Sequence, residues 1–223
     1  MLTGWTPHDQ REGFSSEPKE LAAELDAAWH EDDLSDPAAP ARVFDAAEAA
    51  VGPLTALVCC HTHSEVRGLL EEGAEQVDRH LAVNVRGTLL LIAEFARRFR
   101  GEHGSGRIVT FSSGLPLAGE IAYAASKGGV EWLTISAAAE LAARGISVNA
   151  IDPGPTETGW ISPELRERLL AEAPLGRLGR PEDSAELVAF LCSERGGFIT
   201  GQVLRCDGGW STVRTSRRGR APR

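Results

Sequence analysis

Residues 107–151 read RIVTFSSGLPLAGEIAYAASKGGVEWLTISAAAELAARGISVNAI. Two apolar runs of strand length, Arg107–Ser113 and Ile146–Ile151, enclose a helical stretch from about Tyr123 to Arg144 that Gly145 closes. Strands that are apolar throughout, rather than at alternate positions, are buried on both faces. Strand, helix and strand in that order therefore imply a parallel sheet with helices packed on it.

The same alternation extends in both directions. Upstream, Ala39–Val51 has Ala-rich helical composition, Leu54–Cys60 is another apolar run, and a helical region is expected from about Ser64, with its second part at Gln76–Arg100. Downstream, Pro153-Gly154-Pro155 breaks the chain. Two shorter helices, Pro163–Glu172 and Pro181–Ser193, then lead to a last strand at Val203–Cys206. The fold class expected is α/β, a doubly wound parallel sheet in three α/β/α layers. One domain, 1–210, is expected, followed by a basic, disordered tail at 211–223. Such sheets bind ligands beyond the carboxyl ends of their strands, which places the chemistry near Cys60, Ser113 and Asp152.

The 223 residues carry a formal net charge of -9, which argues against nucleic acid as a partner. The apolar stretch around Leu89–Ala96 ends at Arg97 and Arg98 and is too short to cross a bilayer, so no membrane partner is expected. Four cysteines and no leader-like start at Met1–Thr6 point to the cytoplasm.

Tyr123 is the only tyrosine, and Lys127, one of two lysines, follows four residues later on the same helix face. A nearby ammonium favours a phenolate, so this phenol could exchange a proton with a carbonyl or carbinol oxygen near neutral pH. Ser113, ending the preceding strand, could donate a hydrogen bond to that oxygen, with Ser112 as the fallback. The bland alternative is a half-buried helix tyrosine beside a solvated lysine. At Cys59, Cys60, His61 and His63 a metal site is conceivable, but neighbouring strand residues point to opposite faces, so no metal is expected.

Several runs resemble the short-chain dehydrogenase/reductase family: Gly106–Ser113, Ala122–Gly129 and Arg144–Thr156. So do Asn84-Val85-Arg86-Gly87 before them, and Gly201–Leu204 with Asp207-Gly208-Gly209 after them. The resemblance covers roughly Asp33 to Trp210 in the family's order. It is nearest to 3-oxoacyl-acyl-carrier-protein reductases. It implies a Rossmann-like fold and hydride transfer between NAD(P)(H) and a carbonyl or secondary alcohol, with NADPH slightly favoured. Tyr123 would be the acid/base and Ser113 would orient the substrate oxygen. Lys127 would lower the tyrosine pKa and hold the nicotinamide ribose, and Asn84 would fix a water leading to Lys127. Pro153, Gly154, Thr156 and Thr158 would line the nicotinamide and pyrophosphate. Asp33 and Leu34 would lie at the adenine, and Cys60 and His61 beneath the cofactor. Family members pair through two long helices, here about 76–100 and 123–144, so a homodimer or homotetramer is expected.

Two departures stand out. The family's opening strand, Gly-rich turn and first helix have no counterpart, and residues 1–32 match poorly, as a remnant of the nucleotide-binding front. In the family's strand order this leaves Leu54–Cys60 as an apolar edge that something must cover: an upstream segment, the residues before Asp33, or a partner chain. Second, the family's Asn-Asn-Ala-Gly is replaced by Cys59-Cys60-His61-Thr62, and Thr62 lacks the backbone freedom of glycine. Two other readings therefore stand beside hydride transfer. One is a cofactor-free isomerase or dehydratase that keeps Tyr123 and Lys127. The other is a catalytically silent subunit.

Overall fold

In a computed structural model of the chain, residues 1–7, 17–113 and 119–212 are described. The front holds β1 (Leu2–Gly4), α1 (Glu17–Glu24) and β2 (Trp29–Glu31). Then come α2 (Ala39–Val51), β3 (Ala56–Cys59), a 3₁₀ turn at Leu69–Glu71, α3 (Ala74–His80), a π-helical segment (Leu81–Gly87) and α4 (Thr88–Arg98). The second half holds β4 (Gly106–Phe111), α5 (Ile121–Leu141), β5 (Ile146–Asp152), α6 (Pro163–Glu172), α7 (Pro181–Cys192) and β6 (Val203–Arg205). The basic tail from Arg214 lies outside the described residues.

All strand pairs are parallel. They fall into a four-stranded sheet ordered β3-β4-β5-β6 and a separate pair, β1-β2. The α/β class with a parallel sheet is as expected, and no described strand joins the β1-β2 pair to the larger sheet. Leu2–Gly4 pairs with Trp29–Glu31, and no described strand pairs with the far side of β3. β3 is an edge and shorter than its apolar run suggested, with Val58 exposed. The helical region expected from Ser64 starts later, because residues 64–68 run extended to the 3₁₀ turn.

The parity of β4 and β5 builds the two cores. Ile108, Ile146 and Val148 face α2, α4 and α5, packing with Val43, Phe44, Leu91, Ile92, Phe95 and Leu141. Val109 and Ile151, one residue out of phase, face α7 through Leu191, Leu187 and Val188. Each fully buried side chain of this size contributes about 1.5–3 kcal/mol. Helices thus cover both faces of a parallel sheet. Phe44 meets Phe95 edge-on with centroids 6.4 Å apart, and Arg98 ties α4 to α2 through Asp45 at 2.7 Å and Glu48 at 3.0 Å.

Local chemistry sets the helix starts. Ser162 accepts from the Leu165 N–H at 3.2 Å, and Pro163 opens α6. Pro181 opens α7, where the Asp183 carboxylate accepts from the Arg180 N–H at 2.7 Å. The register Cys59↔Thr110 and Phe111↔Ile151 then brings the carboxyl ends of β3, β4 and β5 to one rim. His61–Thr62, Ser112–Ser113 and Asp152–Gly154 all follow from there.

Candidate active site

The rim is joined to α5 by a buried lysine. Lys127 Nζ donates to the Phe111 carbonyl at 3.0 Å, at the end of β4, and lies 5.7 Å from the centre of the Tyr123 ring. Burial lowers the Lys127 pKa to about 8, while Cys60 and Cys59 act in the opposite sense. Higher on α5, Thr110 and Thr134 share a buried 2.8 Å hydrogen bond that fixes the helix against β4.

Tyr123 lies a turn before Lys127. Burial first, then Glu120 and Asp152, push its phenol pKa up to about 12, while Ser113 and Thr62 act in the opposite sense. Burial dominates this balance. Ser113 follows β4 at the same rim as Tyr123. Ser112, the fallback, is turned inward, and among the described residues its buried Oγ has no hydrogen-bond partner.

Asn84 sits in the π-helical segment, 1% exposed. Its Oδ1 accepts from the His63 N–H at 2.6 Å, and its Nδ2 donates to the His63 carbonyl at 2.9 Å and to Ser126 Oγ at 2.8 Å. Ser126 Oγ in turn donates to the Tyr123 carbonyl at 2.7 Å. The Asn84 carbonyl accepts from Thr88 Oγ1 at 2.7 Å. What the structure shows of Asn84 is therefore a clamp between the loop after β3 and the first turns of α5. A π segment widens a helix locally and is frequent at functional sites, and here it carries Asn84. Gly129 allows the approach, since a Cβ there would stand 3.2 Å from Val85 Cγ2.

At the end of β5, Gly154 has φ +59°, and a Cβ would fall 2.6 Å from Asp207 Cβ. The Pro153-Gly154-Pro155 break thus presses against the turn after β6, with Gly the residue that fits. The buried Thr156 donates through Oγ1 toward the Pro153 and Gly154 carbonyls, each 3.2 Å away, while Thr158 is exposed. Asp152, buried, accepts from the Gly154 N–H at 3.2 Å.

The remaining expected residues occupy the other strand ends. Cys59 is buried and Cys60 exposed, as opposite strand faces require. His61 Nε2 lies 3.1 Å from Thr88 Oγ1, and burial lowers its pKa to about 4, so the ring is neutral. No group of three or more His, Cys, Asp or Glu among the described residues is placed to hold a metal ion. Asp33 accepts from the Ser35 N–H at 2.8 Å within its own loop, and Leu34 packs against the larger core. Among the described residues no helix is long and apolar enough to cross a membrane.

Sequence reasoning missed Thr62, whose Oγ1 lies 3.4 Å from Asn84 Oδ1. The only signal was its place where the family has glycine. Thr62 pays no backbone penalty for that replacement, since Asp26 alone among described non-glycine residues has a positive φ.

Comparison with known proteins gives the family. The family model described as enoyl-(acyl carrier protein) reductase matches residues 7–211. The chain is 41% identical over 182 residues to the "Uncharacterized oxidoreductase YjdA" of Bacillus subtilis (strain 168), covering 80% of this chain and 72% of that protein. It is 37% identical over 194 residues to the "Cis-4-hydroxycyclohexanecarboxylate dehydrogenase" of Sinomonas cyclohexanicum, covering 84% and 78%. It is 39% identical over 220 residues to the "Inactive 2-(S)-hydroxypropyl-CoM dehydrogenase 2" of Xanthobacter autotrophicus (strain ATCC BAA-1158 / Py2), covering 91% and 93%. A model matched over nearly the whole chain and relatives at about 40% identity leave one conclusion: the chain belongs to the short-chain dehydrogenase/reductase family of oxidoreductases.

Proposed function

We propose that the chain interconverts a secondary alcohol and a carbonyl compound with NAD(P)(H), with Tyr123 moving the proton. The observation that carries this is the meeting of Ser113 and Tyr123 at one rim, above a Lys127 buried beneath the ring. The nicotinamide supplies or accepts the hydride when bound. Ser113 holds the substrate oxygen against the phenol, and Tyr123 gives its proton to that oxygen during reduction. A phenol held above its ordinary pKa is protonated throughout the neutral range, which suits it to start as the donor. The Lys127 ammonium has three N–H donors and commits one to Phe111, so two remain for ribose hydroxyls. Pro153, Gly154, Thr156 and Thr158 would border the nicotinamide, with Cys60 and His61 below it and Asp33 and Leu34 toward the adenine. The chain would work as a pair of copies joined through the helices of 76–100 and 123–144.

The test is turnover of a panel of ketones and secondary alcohols with NADH and NADPH. Wild type should be active, and Tyr123→Phe should lose roughly 10²–10⁴-fold in kcat while still binding the dinucleotide. Unchanged turnover in Tyr123→Phe would remove the assignment.

A second reading is a catalytically silent member of the family. It is favoured by the relative named inactive, of which this chain covers 93% at 39% identity. Saturable dinucleotide binding without turnover by any substrate of the panel would select it. A cofactor-free proton-transfer enzyme would instead show no dinucleotide binding.

A further inference from the structure

We propose that His80 is a positioning residue that works in one tautomer: with its hydrogen on Nδ1, the ring latches the segment that follows β3 and so holds the start of α5, and Tyr123 with it. The catalytic consequence rests on the redox reading; the latch does not. His80 ends α3 and is 1% exposed, and both of its ring nitrogens have protein partners. Nδ1 lies 2.8 Å from the Gln76 carbonyl oxygen, one turn back on the helix, and Nε2 lies 3.2 Å from the Glu65 backbone nitrogen. A carbonyl can only accept, and a backbone N–H can only donate. The hydrogen therefore sits on Nδ1, and the bare Nε2 accepts from Glu65. The other tautomer would set N–H against N–H at Glu65 and lone pair against lone pair at Gln76.

The bond to Glu65 is the middle one of three. The N–H groups of His63, Glu65 and Arg67, alternate residues of one segment, are taken by three different parts of the fold. Asn84 Oδ1 of the π-helical segment accepts the first at 2.6 Å, His80 Nε2 of α3 the second at 3.2 Å, and the Gly119 carbonyl the third at 2.7 Å. The third bond joins the segment to the opening of α5. Arg67 pairs with Glu120 in a parallel bridge, and the Glu120 carbonyl accepts from the Ala124 N–H at 2.8 Å in the turn that carries Tyr123. His63 packs edge-on against the His80 ring with centroids 4.6 Å apart, and its Nε2 lies 3.6 Å from Glu65 Oε1. Backbone and side chains of the segment thus close on one buried imidazole. Without the acceptor at Nε2, the span from Asn84 to Gly119 hangs on its two ends, and the first turn of α5 is free to shift.

Two variants separate the acceptor from the bulk of the ring. His80→Met keeps an extended side chain and removes the acceptor, whereas His80→Gln keeps a carbonyl that can accept from the Glu65 N–H. Long-range ¹H–¹⁵N spectra of labelled wild type read the tautomer, and the assigned His80 ring should carry its hydrogen on Nδ1. Amide exchange reads the latch: Glu65 should exchange roughly 5- to 20-fold faster in His80→Met and near the wild-type rate in His80→Gln. The single tyrosine reads the position, since biosynthetic fluorotyrosine puts one ¹⁹F line at Tyr123. That line should shift or broaden in the methionine variant and return in the glutamine variant. In unlabelled protein, kcat should fall roughly 3- to 30-fold in His80→Met with dinucleotide affinity unchanged, and recover in His80→Gln. A hydrogen on Nε2 overturns the proposal, as does a Glu65 amide that exchanges alike in all three proteins or a glutamine variant that behaves like the methionine. A ¹⁹F line unmoved while the Glu65 amide opens overturns the positioning role. A wild type without turnover removes only the redox reading, because tautomer, exchange and ¹⁹F line still decide the latch. If His80→Met does not fold, His80→Leu replaces it, and the tautomer is read in wild type alone.

Discussion

Asn84 holds both polar backbone atoms of His63 with its single side-chain amide, accepting from the N–H at 2.6 Å and donating to the carbonyl at 2.9 Å. That doubly bonded contact seats the strand end carrying His61 and Thr62 against the helix carrying Tyr123. Asn84→Ala leaves the His63 backbone groups without this partner in a buried place. The expected loss is about 2–4 kcal/mol of unfolding free energy, from a cost of roughly 1–3 kcal/mol per orphaned group reduced by water entry. Asn84→Asp should cost more at neutral pH, because a carboxylate would replace the N–H₂ that donates to the His63 carbonyl. Urea unfolding at matched pH checks both.

Lys127 makes the stability depend on pH in a defined window. Its folded pKa is about 8 against a reference of 10.5, so below pH 8 the folded state carries a buried ammonium at a constant cost, on the order of 3 kcal/mol. Above pH 8 the folded state loses that proton before the unfolded chain does, and stability rises with pH. The four cysteine thiols, all held above their ordinary value by burial, act in the opposite sense as the unfolded chain's thiols ionise, from about pH 8, and above 10 so does Tyr123, so the lysine's share is read as a difference from a variant without it. The stability of wild type minus that of Lys127→Met should grow by on the order of 1 kcal/mol from pH 7.5 to 9, since the thiols act alike in both proteins. Urea midpoints at the two pH values measure it.

Gly154 is required twice over, by its φ of +59° and by the 2.6 Å that would separate a Cβ from Asp207 Cβ. Gly154→Ala should therefore cost about 2–4 kcal/mol, combining left-handed strain with overpacking. It should also loosen the Pro153–Thr156 turn from the turn after β6. Thermal unfolding gives the first effect. Dinucleotide affinity, weakened beyond what the fall in stability explains, gives the second.

The second half of the chain was legible because its signals were local and redundant. β4 and β5 are buried on both faces and read as apolar runs, and α6 and α7 announce themselves by Ser162-Pro163 and Pro181 with Asp183. β2 was not legible: Trp29-His30-Glu31 is three residues long and mostly polar. The π-helical segment was hidden as well, since Leu81–Gly87 keeps helical spacing. For the candidate site, Tyr123, Lys127 and Ser113 could be singled out by type and order. The direction of the phenol shift could not be read there, because desolvation is set by residues brought in from β3 and β5. Thr62 escaped for the same reason, as Asn84 lies 22 positions away in sequence and only the fold makes them neighbours.

The last prediction concerns how copies of the chain meet. Along α5, Ala125, Gly128, Trp132, Ile135 and Ala139 recur at helical spacing, and none of the five is buried. Trp132 is 73% exposed, an unusual state for the largest apolar side chain. Val77, Leu81 and Leu89 are likewise exposed on α3, the π-helical segment and α4. Gly129, by contrast, is used within the chain against Val85, so the small residues of α5 divide between internal packing and the outward stripe. A tryptophan at the centre of such a stripe is the kind of side chain that dominates an interface. Trp132→Glu should convert a dimeric or tetrameric wild type into smaller species by sedimentation velocity, with far-UV circular dichroism unchanged. It should leave the Tyr123 ¹⁹F line where it is, since Trp132 lies more than two turns further along the helix. A wild type that sediments as a monomer at micromolar concentration would instead assign that stripe to some other contact.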